Sequence, residues 1–128
     1  MIKWAGDKGY QAFRLLQITF IIAPLIAGLD KFTNLLTNWP NYLSPFVSNI
    51  IGHHDRGFMM FVGIVEVIAG IGVMFRPKIF AYIVFLWLFG IILNLLLTGH
   101  YFDIALRDLG LALAALSLAK LSQKYATD

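Results

Sequence analysis

The chain has 128 residues, of which 59% are hydrophobic and 13% charged, against roughly 45–50% apolar and ~25% charged in an ordinary soluble domain. A soluble domain of this size buries only about two-thirds of its extended-chain surface, so that much apolar area would have nowhere to go. A soluble enzyme, a disordered tail and a nucleic-acid-binding module are excluded, since the net charge is only +3 and no basic stripe stands behind the pI of 9.3. Zero cysteines remove thiol catalysis, disulfide relays, Cys-ligated zinc and iron–sulfur clusters. The composition points to a small integral membrane protein with one domain over 1–128.

The first apolar stretch covers about 13–29, close to the ~20 residues that cross the hydrocarbon as a helix. Its basic lead (Lys3, Lys8, Arg14) has the outline of a secretory signal; it is read here as a retained first helix. It closes with Gly28-Leu29-Asp30-Lys31-Phe32, and Gln17, Pro24, Gly28 and Lys31 share one helical stripe.

The connection that follows carries Ser44-Pro45 and, eight residues after Ser44, Gly52. Serine at an N-cap, proline at N1 and glycine after the last turn punctuate a helix. With Phe46, Val47, Ile50 and Ile51 on one apolar face, and Trp39 and Tyr42 at headgroup level, a short interfacial helix is expected. His53-His54-Asp55 reads as a solvated loop. No pair of His53, His54 and His100 has i, i+4 helical spacing, so no metal or haem site is expected.

The second stretch, 57–75, holds Glu66 at its middle. An ionised carboxylate at that depth costs at least ~2.5–3.5 kcal/mol, so it should face protein, be paired, or carry a proton. Gly63, Ala69 and Gly70 make a small-residue stripe beside it, which lets helices approach closely. An Arg76-Pro77-Lys78 turn leads to the third stretch, 79–97, with Gly90, Asn94 and then His100 beyond its end. The fourth, 104–121, opens with Arg107-Asp108 and continues Asp108, Ala112, Ala115, Ala119 along one face.

These elements predict an all-α fold: a four-transmembrane-helix bundle with a short interfacial helix in the first outer loop. Lys3, Lys8, Arg14, Arg76, Lys78, Lys120 and Lys124 fall on one side, and Lys31, Arg56 and Arg107 on the other. By the positive-inside rule both termini are cytoplasmic.

The expected polar constellation is Lys31, Glu66, Asn94, Arg107 and Asp108, with Asp30 and His100 at its rim. Glu66 lies about three turns below the outer end of its helix and Asp108 about one, a depth difference of roughly 10 Å. Either Lys31 or Arg107 reaches inward, or Glu66 is protonated and bonds locally, or water enters. Such a network either holds helices in register or forms a ligand, proton or subunit-contact site.

The closing Gly28-Leu29-Asp30-Lys31-Phe32, the glycine-flanked Glu in Gly63-Ile64-Val65-Glu66-Val67-Ile68-Ala69-Gly70, the Arg76-Pro77 turn and Arg107-Asp108-Leu109 together resemble the DoxX-like family of small four-helix membrane proteins, over nearly the whole chain. The resemblance marks Lys31 and Glu66 as the leading positions. It implies an integral membrane subunit of a respiratory or quinone-linked redox complex, supporting assembly or lining a quinone or lipid pocket, with no catalytic residues or intrinsic cofactor of its own. Its expected partners are membrane lipid and other integral subunits, and its expected location is a bacterial inner membrane. The alternatives are a small homo-oligomeric proton-linked transporter using Glu66, or a structural membrane protein without a ligand.

Overall fold

A computed structural model describes residues 6–126. These form five α-helices and one 3-10 turn, with no strand among the described residues: α1 Lys8–Asp30, the 3-10 turn Trp39–Tyr42, α2 Pro45–Ile50, α3 Asp55–Phe75, α4 Pro77–Thr98 and α5 Phe102–Tyr125. α1 packs most extensively on α3, and α4 on α5; contacts of α1 with α5 and of α3 with α4 join the two pairs.

Three of the long helices, α1, α3 and α4, are long and apolar enough to cross a membrane, as an integral membrane protein requires. α5 is as long but is not among them. Asp103, Arg107 and Asp108 crowd its first turns and Lys120, Gln123 and Lys124 its last, so its apolar stretch is shorter than its helix. Each long helix turns large side chains outward: Leu15, Ile18, Ile22 and Ile26 on α1, Phe61, Ile64, Ile68 and Phe75 on α3, Leu86, Phe89, Leu93 and Leu97 on α4, Leu106, Leu109 and Leu113 on α5. Contiguous apolar flanks of this extent belong against lipid or another protein rather than water.

The helix ends follow from local chemistry. Asp7 caps α1, accepting hydrogen bonds from the N–H groups of Gly9 at 2.8 Å and Tyr10 at 3.4 Å. Proline opens both α2 and α4, and Gly99 closes α4 in the left-handed region at φ 73°. Ser44 caps α2 through Val47 N–H at 3.2 Å. Of the four apolar side chains expected on one face of this short helix, Phe46 and Ile50 point outward, while Val47 faces α3 and α4. After α2 the chain reverses around Ser48, whose hydroxyl donates to Asp55 Oδ1 at 2.7 Å and lies 3.1 Å from His53 Nδ1.

The hydrophobic core sits toward the end where α1 begins and α5 finishes. Phe13, Phe20, Val73, Ala81, Val84, Ala115, Leu118, Ala119 and Tyr125 form it. Gln17 closes that end of α3: its Nε2 donates to the free carbonyls of Val73 at 3.2 Å and Met74 at 3.4 Å, while its Oε1 accepts from Arg14 at 2.6 Å. A helix terminus buried in apolar surroundings needs such partners. The Tyr125 hydroxyl in turn donates to Asp7, tying the end of α5 to the start of α1.

Candidate functional site

α1 and α3 meet backbone to backbone. A Cβ added at Gly28 would lie 2.5 Å from the Gly63 carbonyl oxygen, one at Gly63 2.5 Å from that of Gly28, and one at Gly70 2.9 Å from that of Ile21. Only glycine permits this approach, and it sets the relative height of the two helices. Because Gly28 is level with Gly63, the C-terminal end of α1 lies beside the middle of α3 rather than beside its start. Lys31, the C-cap residue of α1, is thereby brought to Glu66.

The Lys31 ammonium lies 2.5 Å from Glu66 Oε1, with side-chain exposures of 5% and 12%. No described group donates a geometrically aligned hydrogen bond to that oxygen; charge and proximity hold the pair. The same ammonium sits 3.8 Å from the centre of the Trp39 ring, a cation–π contact that a desolvated lysine makes strong. Trp39 is held in place by its indole N–H, which donates to Asp30 Oδ2 at 2.8 Å. The chain thus runs Glu66–Lys31–Trp39–Asp30, a buried ion pair roofed by an indole.

Asp30 is buried rather than at a rim, and it organises the connection that follows α1. Besides Trp39 it accepts from the Thr33 hydroxyl at 3.0 Å and from the N–H groups of Leu35 at 3.1 Å and Leu36 at 3.0 Å. Non-helical backbone at this height must be satisfied by protein, and other polar side chains serve the same connection. Arg56 donates to the Phe32 carbonyl at 2.8 Å. Asn94 accepts from Ser44 N–H at 2.9 Å and donates to the Tyr42 carbonyl at 2.7 Å.

The seven residues expected to converge therefore fall into separate groups. Lys31, Glu66 and Asp30 belong to the α1–α3 seam. Asn94 pins the connection between α1 and α2 to α4. Arg107 and Asp108 pair with each other, Nη2 to Oδ1 at 3.0 Å, with Arg107 largely exposed and Asp108 buried. His100 is exposed, its backbone N–H bonded to the Thr98 hydroxyl. Of the ways to bridge the expected depth gap, the observed one is that the Lys31 side chain reaches inward to Glu66. Trp39 is the residue whose role spacing does not reveal: it reads as a headgroup-level aromatic, and its place over Lys31 depends on the fold of the loop. No group of three or more His, Cys, Asp or Glu able to hold a metal ion is present among the described residues.

A pocket of about 210 Å³ opens between α2, α3 and α4, walled by Val47, Met59, Val62, Trp87 and Ile91 with Gly90 and Asn94 at its edges. Compared with family models, curated proteins and solved structures, the chain matches none of them.

Proposed function

We propose that the chain is a four-span membrane protein, with both termini cytoplasmic, that acts as an accessory subunit of a quinone-linked redox complex in a bacterial inner membrane. In this reading it has no catalytic activity of its own, and it supports assembly while lining a pocket for quinone or lipid. The observation that carries the accessory reading is the internal matching of its buried charges. Lys31 is spent on Glu66, Arg107 on Asp108, and Asp30 on backbone N–H groups. What remains for contact with neighbours is apolar flank, suited to lipid and to the helices of other subunits.

The outward Leu106, Leu109 and Leu113 of α5 support a fourth crossing, with Arg107 extending toward the outer interface. The excess of Lys and Arg at the termini and the α3–α4 turn supports the orientation. The redox assignment rests on the motifs around Lys31 and Glu66 that resemble the DoxX-like family. A proton carrier would need a carboxylate that opens alternately to each side; Glu66 is instead roofed by Lys31 and Trp39.

The test is purification in mild detergent with identification of what co-migrates. A redox-active membrane partner is the expected result, and a stable homo-oligomer with no such partner contradicts the reading. Glu66→Gln is expected to weaken assembly; loss of proton-coupled flux with assembly intact would favour the carrier instead.

A further inference from the structure

The pocket between α2, α3 and α4 has a polarity of its own. Its volume, about 210 Å³, exceeds the ~150 Å³ apolar cavity that accepts a benzene ring. Its walls are carbon almost throughout; even Trp87 presents only its ring there, because its indole N–H is buried and contributes no surface. Gly90 lines the pocket from α4. It is exposed, and a Cβ built on it meets nothing within 4 Å. Around it Leu86, Phe89 and Leu93 point outward, so Gly90 sits on an apolar flank.

One end of the pocket is polar. Asn94 accepts from Ser44 N–H and gives one amide hydrogen to the Tyr42 carbonyl, which leaves its second amide hydrogen to donate. Asn94 lies at the height of the outer connection, and Trp87 about two turns deeper along α4. A donor at interfacial height above a carbon-walled slot suits an ester carbonyl with a hydrocarbon chain below it. We infer that the pocket holds one acyl chain of a bilayer phospholipid, its ester carbonyl accepting from Asn94 and its chain descending past Gly90 toward Val62 and Trp87. The inference rests on α3 and α4 crossing the membrane, and it narrows a quinone-or-lipid pocket to an acyl lipid.

Native mass spectrometry of the full chain, released from nanodiscs of palmitoyl-oleoyl phosphatidylethanolamine and phosphatidylglycerol, tests it. The wild-type protein is expected to retain one phospholipid. Gly90→Phe on α4 and Val47→Trp on α2 each add bulk to the lining, and each is expected to cut the lipid-bound fraction at least tenfold, whereas Gly90→Ala retains it. Circular dichroism checks the helix content of each variant, and Val47→Trp carries the test if Gly90→Phe does not fold. No retained phospholipid on the wild type, equal retention in the filled variants, or a carbonyl-bearing ring compound in place of the phospholipid would overturn the inference. Absence of a redox partner would count against the accessory-subunit reading and leave the lipid stoichiometry untouched.

Discussion

Gly28 and Gly63 lie so close that neither has room for a Cβ beside the other's carbonyl oxygen, and this contact fixes where α1 stops against α3. It places Lys31 beside Glu66 and forces the following connection to fold at the height of the α3 interior. Asp30, Arg56 and Asn94 then satisfy that connection's backbone.

Substitution at this contact should be costly out of proportion to its size. Gly28→Ala or Gly63→Ala sets a methyl against a backbone atom that cannot move aside alone, so the helices must separate. A loss of about 1–3 kcal/mol is expected, the usual range for overpacking. Gly110→Ala, where a Cβ meets nothing within 4 Å, is expected to be neutral or to stabilise by up to ~1 kcal/mol. Thermal unfolding in detergent compares the three.

Trp39→Phe keeps a ring over Lys31 but removes the N–H that Asp30 accepts. Hydrogen bonds to a charged group contribute about 1.5–3 kcal/mol, and a loss within that range is expected. Proteolysis of the connection between α1 and α2 should accelerate in parallel. An unchanged cleavage rate would mean that the indole does not anchor this segment.

Asn94→Leu leaves the Ser44 N–H and the Tyr42 carbonyl without partners, at a cost of about 1–3 kcal/mol for each buried group left unpaired. Faster amide hydrogen exchange at Ser44 is the direct readout. Exchange that stays slow would show that another group satisfies the connection.

Acid should loosen the joint between the end of α5 and the start of α1. Burial pushes the Asp7 carboxyl up, but the N–H groups of Gly9 and Tyr10, the Tyr125 hydroxyl and the Lys124 charge together hold it below its ordinary 3.8. A carboxylate with a lowered folded-state value stabilises above its unfolded value and loses that contribution as pH falls through the folded one. The stability gap between wild type and Asp7→Asn is therefore expected to be full near neutral pH and to close below 3.8. A gap independent of pH would contradict the assignment.

Much of the fold is legible in the sequence because its signals are local. Apolar runs, the Ser44-Pro45 cap and Gly99 mark where the helices begin and end. Glycines at 28, 63 and 70 mark a close helix contact, and Glu66 at mid-run demands a partner. The grouping of the polar residues is not legible, because it depends on how far α1 slides along α3. From spacing alone Asp30 reads as a rim residue, although it is buried. The glycine contacts set the end of α1 against the interior of α3, which buries Asp30 and Lys31 and turns Trp39 from an interfacial anchor into a roof. Arg107 and Asp108 stay apart from Glu66 because α5 packs mainly on α4 and α1 rather than on α3.

The measurement closest to the centre of the account is a double-mutant cycle on Lys31 and Glu66, read by reversible unfolding in detergent. Removing one partner of a buried pair strands the other charge and typically costs about 3–5 kcal/mol, whereas an apolar replacement of both is often neutral or stabilising. Lys31→Met and Glu66→Leu are each expected to lose stability in that range, while the two together recover to within about 1 kcal/mol of wild type. Single losses that simply add in the double variant would contradict the pairing.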